Sequence, residues 1–561
     1  MGEQKMKEFG FYNDFDDTIM LNEQIDISKE GEYLVSNSPK LKANVVANEI
    51  NFYLKNSEDS VLDKAKNTLL LYEARANAFD LARDVDHEKT VGKNVVLVSN
   101  VGRENLANLL KENGFKVIEL THFEVKFLYG AAGELSVIVL RANDEFEIDC
   151  DFLLVENARD YMLKQSGCYE IANMSDEDAL NLLNEKSPSF KYKTHISYDS
   201  TICQYHERRQ EICGRCAEVC PTVAILKEDE TKHLVFSHID CLGCGGCISV
   251  CPSGALDYSH MPRNSFVDTA KMYKGKIPLI IPKKMNLEKL SLKLPQNVLP
   301  FAIEGEKWLH ESHFMTLLQE SGSSVIFYTD FASKGTKDAI LIVNQIYNIK
   351  FNRQAIEVAM NESELKDALQ RASLIDGSQH SMSEYAIPKR EIFAKRLEWF
   401  VGGENLGVVK TGENISYGTV EINRDSCTLC LSCVGACNVS ALVADSKTNS
   451  IMFNPSICTN CGYCELSCAE KDTIVLKRGQ IELKPEYFVY NELAKDELFA
   501  CIECGKEFAT KKAVEKIAAI MSPKFANDPV KLKTLYCCSD CKAKVMVKAQ
   551  IEAMHKDILN G

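Results

Sequence analysis

From Ser60 to Arg83, apolar residues return every three to four positions: Leu62, Ala65, Leu69, Tyr72, Ala76 and Phe79. That period predicts an amphipathic helix with this stripe toward a core. The fifty residues at the N-terminus are polar and show no clear period, so a loose segment is expected there. Beyond the helix the pattern changes. Val95–Val98 reads as a short buried strand, Leu106, Leu109 and Leu110 mark a helix closed by Gly114, and Val117–Leu120 reads as a second strand. Leu135–Leu140 and Phe152–Val155 add two more strands.

A similar stretch follows at 277–350. Ile277–Ile281 and Val325–Tyr328 read as strands, Phe314, Leu317 and Leu318 line a helix ending near Gly322, and Ile340, Val343 and Tyr347 line another. Pro388 stands where a further helix should start; Phe393, Leu397 and Phe400 follow at helical spacing, and Gly402-Gly403 stops it. Neither α/β stretch carries a dinucleotide fingerprint. Asn100-Val101-Gly102-Arg103 fills the first strand–helix turn, and Gly130-Ala-Ala-Gly133 is too short, so both stretches read as scaffold rather than as NAD or FAD sites.

A chain of 561 residues is too long for one core. Its 45% hydrophobic and 26% charged residues are those of an ordinary globular protein. The net charge of −15 argues against nucleic acid, whose binding rests on Lys and Arg. It serves solubility, and it could steer a basic redox partner. Met1-Gly2-Glu3-Gln4-Lys5 has no apolar signal region, Arg208-Arg209 lies too deep for a twin-arginine signal, and no apolar run approaches the roughly 18 residues of a membrane span. A cytoplasmic location without a membrane span is therefore expected. In a reducing compartment, clustered thiols bind metal rather than each other.

Cysteine is the compositional outlier: there are 23, and all but Cys150 and Cys168 fall into three dense groups. Two of these groups are copies. Cys213, Cys216, Cys220, Cys241, Cys244, Cys247 and Cys251 recur 217 residues later as Cys430, Cys433, Cys437, Cys458, Cys461, Cys464 and Cys468. Ala224-Ile225, Ala255-Leu256 and Ala441-Leu442 repeat as well, so the halves read as a duplication. Within each half the spacing is that of a two-cluster bacterial ferredoxin. Three thiolates at i, i+3 and i+6 wrap one face of a cubane, and the fourth cysteine reaches the neighbouring cluster. The second half then offers Cys427, Cys430, Cys433 and Cys468 to one [4Fe–4S] cluster, and Cys458, Cys461, Cys464 and Cys437 to another.

The first half departs from this pattern. Cys241, Cys244, Cys247 and Cys220 form one intact set, but Gln210 occupies the position of Cys427. Either that cluster keeps three thiolates and becomes [3Fe–4S], or Cys203 joins Cys213, Cys216 and Cys251. Cys203 is the favoured ligand over the nearby His206. Pro221 and Pro252 follow the fourth cysteines here, whereas Asn438 and Ala469 stand in their places in the second half. A non-proline residue there frees a backbone N–H near the cluster, so the halves should differ in reduction potential.

The third group is Cys501-Ile-Glu-Cys504-Gly505 and Cys538-Ser-Asp-Cys541, separated by a helical stretch at Lys511–Met521. Two C-x2-C pairs suit one tetrahedral, structural Zn2+; a fifth iron–sulfur centre or a redox dithiol are the alternatives. Cys537 is either a spare thiol or the true ligand in place of Cys538. Cys150 and Cys168 read as core residues.

These motifs resemble a family of bacterial polyferredoxins. The resemblance rests on Cys427-Thr-Leu-Cys430-Leu-Ser-Cys433, Cys458-Thr-Asn-Cys461-Gly-Tyr-Cys464, Phe499-Ala-Cys501-Ile-Glu-Cys504-Gly505-Lys506-Glu-Phe508 and, in the first half, Cys203-x9-Cys213-x2-Cys216-x3-Cys220-Pro221. It covers roughly 195–265 and 415–545. More weakly, 277–350 resembles a cysteine-less relative of the hydrogenase and heterodisulfide-reductase iron–sulfur subunit fold. The family is associated with molybdenum- or tungsten-dependent formate dehydrogenases, so the resemblance implies service to such an enzyme as redox partner or in maturation.

The expected architecture is a multidomain α+β chain: an N-terminal, partly helical segment at 1–90, an α/β scaffold at 91–195, a dicluster ferredoxin module at 196–265, an α/β domain at 266–375, a helical linker at 376–412, a second dicluster module at 413–485 and a zinc-ribbon-like domain at 486–561. The leading functional reading is an electron relay to or from a partner oxidoreductase, without a substrate site of its own. The alternatives are an assembly factor and a flavin- or nicotinamide-linked oxidoreductase subunit. Anaerobically purified protein should hold about sixteen irons, from four cubanes, and about one zinc by elemental analysis. Near twelve irons, unchanged in Cys203→Ala, would contradict the four-cluster reading.

Overall fold

The computed structural model describes residues 7–12, 33–141 and 144–560. The chain divides into two compact units, 1–389 and 390–561.

The first unit begins with more order than the sequence pattern predicts. Lys7–Gly10, Tyr33–Ser36 and Val45–Val46 form a parallel three-stranded sheet, and Asn48–Asn56 is a helix. Residues 13–32 lie outside the described residues. The next helix is Val61–Leu81, with the Ser60 hydroxyl accepting from the Asp63 N–H at its start. Its buried face is not the expected stripe. Tyr72 and Ala76 are buried, but Leu62 is 65% and Leu69 55% exposed, while Asn67, Thr68, Leu71 and Arg75 turn inward. Hydrogen bonding made this face unreadable from hydrophobic period alone. The Asn67 amide donates to the Tyr53 hydroxyl (2.8 Å) and to Asp59 (3.0 Å), so a polar face could be buried with its partners in place.

The first α/β region has a parallel sheet in the order Cys168–Glu170, Phe152–Val155, Asn94–Val98, Lys116–Leu120. Alternate side chains of its central strands feed two cores. Val95, Leu97, Phe152 and Leu154 pack with Leu106, Leu110 and Leu183 on one face. Val96, Val98, Leu153 and Val155 pack on the other with the antiparallel strands Val125–Ala131, Glu134–Arg141 and Asp144–Cys150. Cys150 and Cys168 belong to that second core, and burial pushes each thiol up to about 12.

The second α/β region holds a parallel sheet ordered Val298–Ile303, Ile277–Pro282, Val325–Tyr328, Ile356–Ala359. The two outer strands escaped the sequence reading; the two inner ones did not. Helix Glu311–Ser321 is buried along its whole length and ends at Gly322 (φ 72°), and Lys334–Phe351 is capped by the Ser333 hydroxyl. This domain packs on the first cysteine-rich module. Trp308 is fully buried, stacks on Tyr258 with ring centroids 5.1 Å apart, and donates to the Glu304 carbonyl at 2.8 Å. Gly245 (φ 77°) is required beneath it, because a Cβ there would meet the Trp308 Cβ at 2.4 Å.

The expected helix is present at Lys389–Val401, at the start of the second unit, with Phe393, Leu397 and Phe400 buried. Strand Gly418–Ile422 pairs with Ile474–Arg478, as Ile196–Tyr198 pairs with Leu256–Tyr258 in the first module. The C-terminal part is a hairpin, Leu498–Ala500 with Glu507–Thr510, followed by helices Lys511–Met521, Pro529–Thr534 and Ser539–Asn560.

Trp308→Ala should cost the first unit about 3–5 kcal/mol, read as a lower denaturant midpoint.

Candidate metal centre

The cysteine runs sit on loops that enter very short helices. Arg215–Glu218 and Gly246–Val250 follow the first cysteines of the first module, and Ser432–Gly435 and Tyr463–Leu466 those of the second. Left-handed residues shape the loops: Gly243 and Gly245, Leu429 and Leu431, Asn460 and Gly462. Two of these are leucines, which pay a steric cost in that conformation. The fold accepts it because the turn aims backbone N–H groups inward at the sulfurs.

The first module contains two cysteine-lined cavities. One is lined by Cys203, Cys213, Cys216 and Cys251, with Tyr198 and Leu234 among its walls. The other is lined by Cys220, Cys241, Cys244 and Cys247, with Ile196, Ile225 and Phe236. Each third cysteine of a run reports its neighbours through its acidity. Burial, then the charges of Cys251, Cys213 and Cys203, raise the Cys216 thiol well above its ordinary value. Burial, then Cys216, Cys241, Cys244 and Cys220, do the same to Cys247. Cys216 thus lies near Cys247, and the helices Arg215–Glu218 and Gly246–Val250 touch, so the two sets are side by side.

The second module repeats this grouping. Burial, then Cys427, Cys430 and Cys468, push Cys433 up to about 12. Burial, then Cys458, Cys461, Cys433 and Cys437, raise Cys464. Cys427, Cys430 and Cys468 thus lie near Cys433, and Cys437, Cys458 and Cys461 near Cys464.

Cys203 behaves as the first cysteine of a run. The Tyr205 N–H, two residues on, donates to its sulfur at 3.4 Å, just as the Asn460 N–H donates to Cys458 at 3.4 Å. The N–H groups of Leu429 and Gly243 do the same for Cys427 and Cys241. Upstream, Asp199 accepts from the Thr201 N–H at 2.9 Å, four residues before Cys203, and Asn423 accepts from the Asp425 N–H at 3.0 Å, four before Cys427. Aligned on these turns, Cys203 and Cys427 are counterparts at an offset of 224, and residues after Cys203 carry a seven-residue insertion. Gln210 lies exposed within that insertion. His206 is turned to His233, with the two Nδ1 atoms 2.9 Å apart, and does not line the cavity.

The residue after each last cysteine also differs as expected. In the second module the Ala469 N–H reaches the Cys430 sulfur. Burial opposes ionisation of Cys430, but Ser432 and this N–H outweigh it and lower the thiol. Pro252 has no N–H to offer at the matching place.

The C-terminal thiols form a much tighter group. The sulfurs of Cys501, Cys504, Cys538 and Cys541 all lie within 4.8 Å of one another. Cys504 and Cys538 are 3.8 Å apart, which is the edge of a tetrahedron with metal–sulfur bonds of about 2.3 Å. Burial raises the Cys501 thiol, but N–H groups of Cys538, Glu503 and Cys504 prevail and bring it down to about 6. Cys537 lies beside Cys501 but outside this group of four, and its thiol donates to the Lys533 carbonyl at 3.4 Å. Among the described residues no other His, Cys, Asp or Glu ligands converge so closely.

Comparison with known proteins agrees with this geometry. Residues 188–255, which contain all eight cysteines of the first module, match the family model of the 4Fe-4S dicluster domain. Over 64 residues the chain is 36% identical to "Hydrogenase-2 operon protein HybA" of Escherichia coli O157:H7, and equally to that of Shigella flexneri. The match takes in 11% of this chain and 19% of the relative, so the chain spans about a fifth of the length of the curated relatives it matches. Donor set and family match agree on a 4Fe-4S dicluster domain at residues 188–255, an iron–sulfur module of the ferredoxin type. Among the described residues, no helix is long and apolar enough to cross a membrane.

Cys538→Ala should abolish metal binding at the C-terminal site, and Cys537→Ala should preserve it, by metal analysis of the purified chains.

Proposed function

We propose that the chain is an electron relay carrying four [4Fe–4S] clusters and one structural zinc, serving a partner oxidoreductase. The observation that carries this reading is the pair of adjacent cavities in the first module, each lined by four thiols in the predicted set. Cys203, Cys213, Cys216 and Cys251 hold the first cluster, and Cys220, Cys241, Cys244 and Cys247 the second. In the second module, Cys427, Cys430, Cys433 and Cys468 hold the third, and Cys437, Cys458, Cys461 and Cys464 the fourth. Cys501, Cys504, Cys538 and Cys541 hold the zinc. When bound, the cubanes supply one-electron redox chemistry.

The chain's own residues shield that chemistry from water. Apolar walls such as Ile225, Phe236 and Leu234 keep water from the sulfurs. The N–H groups two residues past each first cysteine face negative sulfur and stabilise it. The third cysteines, Cys216 with Cys247 and Cys433 with Cys464, bring paired clusters close. The α/β regions serve as scaffold.

The resemblance favours a molybdenum- or tungsten-dependent formate dehydrogenase as partner, and the likeness to a hydrogenase-operon protein supports the same general class of multi-subunit redox enzyme. Anaerobic affinity capture with identification of the bound enzyme tests this directly. Deleting the gene should leave that enzyme metallated and active with artificial dyes, but cut off from its physiological acceptor. A partner lacking its own metal after the deletion would instead mark the chain as an assembly factor.

A further inference from the structure

The turn that follows Cys251 is held by two cations. Lys389 is 1% exposed, and its ammonium donates to the Cys251 carbonyl at 3.1 Å. It pairs with Glu311, itself fully buried, at 3.3 Å. Arg263 donates to the Gly254 carbonyl at 2.9 Å and pairs with Asp257 at 3.5 Å. Gly254 (φ 73°) is what lets Lys389 come so near, since a Cβ there would meet the Lys389 Cβ at 2.5 Å. A buried ammonium is costly to desolvate, and a fold that needed only packing could use a leucine or methionine at this position.

The second module has a different arrangement at the matching turn. There the residue after the last cysteine is Ala469, whose N–H reaches a cluster-facing sulfur. The next residue is the acidic Glu470, ion-paired with Lys516. In the first module Pro252 removes that N–H, and a cation instead bonds the carbonyl of the last cysteine, Cys251.

We propose that Lys389 is a positioning residue for redox tuning: through the Cys251 carbonyl it raises the reduction potential of the cluster on Cys203, Cys213, Cys216 and Cys251. Adding an electron makes that cluster more negative, and a nearby cation in a low-dielectric surrounding stabilises the reduced form. Glu311 tempers the effect. The ammonium is the member of the pair bonded to the Cys251 carbonyl, so the positive end of the pair is the one held at the backbone of a cluster cysteine. The inference rests on the relay reading and its four-thiol assignment.

The test is an anaerobic redox titration of the full chain, followed by electron paramagnetic resonance, with iron counted in every sample. Cys203→Ala identifies which wave belongs to this cluster. Lys389→Met should move that wave to lower potential, and Glu311→Gln, nearly isosteric, should move it to higher potential, with iron per chain unchanged. If the wild type carries the wave and neither variant shifts it, the proposal is overturned while the cluster assignment stands. If Lys389→Met does not fold, Glu311→Gln decides alone. If Cys203→Ala removes no wave and no iron, the assignment itself fails.

Discussion

The cysteine-rich modules draw thiols together, and at enclosed ones such as Cys216, Cys247, Cys433 and Cys464 burial opposes ionisation. Everything else in the molecule answers to that conflict. A thiolate in an apolar cavity needs positive charge, and its neighbours are thiolates too: at Cys216 and Cys247 burial and neighbouring sulfurs act in the same direction. Iron or zinc removes the conflict when bound, and backbone N–H groups from left-handed turns remove part of it beforehand. The strained Leu429 and Leu431 are tolerated because of what their turns direct at sulfur.

The duplicated modules share donor sets and differ in what surrounds them. In the first unit the α/β domain covers the module: Trp308 lies over Gly245, Ser333 approaches Ser249, and Lys389 seats against Gly254. In the second unit Cys430 is exposed, and its sulfur is served by Ser432 and the Ala469 N–H. Two sets of cysteines with the same spacing thus sit in two electrostatic environments, one beside a buried ion pair and the other beside peptide N–H groups and solvent.

The cysteine sets were legible because ligand spacing is a local property: i, i+3 and i+6 on one tight turn must converge whatever lies around them. Helices such as Lys334–Phe351 were legible for a related reason, since a 3.6-residue period survives in the sequence. The helix Val61–Leu81 was located correctly but its buried face was misread, because Asn67 is buried through partners, Tyr53 and Asp59, that no period can announce. The outer strands Val298–Ile303 and Ile356–Ala359 and the small sheet at the N-terminus owe their existence to pairing with distant segments. The turn before Cys203 did leave a signal: Asp199 and Asn423 each precede their cysteine by four residues, and a shift of alignment from 217 to 224 would have exposed it.

By itself the sequence determined that this chain gathers thiols in two ferredoxin-like groups and one zinc-like group, because covalent spacing limits where neighbouring sulfurs can go. Tertiary structure decided which thiols meet. It lined one cavity with Cys203, Cys213, Cys216 and Cys251 across an insertion, turned His206 to His233, and grouped Cys538 with Cys501, Cys504 and Cys541. It also brought Lys389 to Cys251 from 138 residues away. Contacts between segments so far apart depend on how whole layers pack, and that information is not held in any local stretch of the chain.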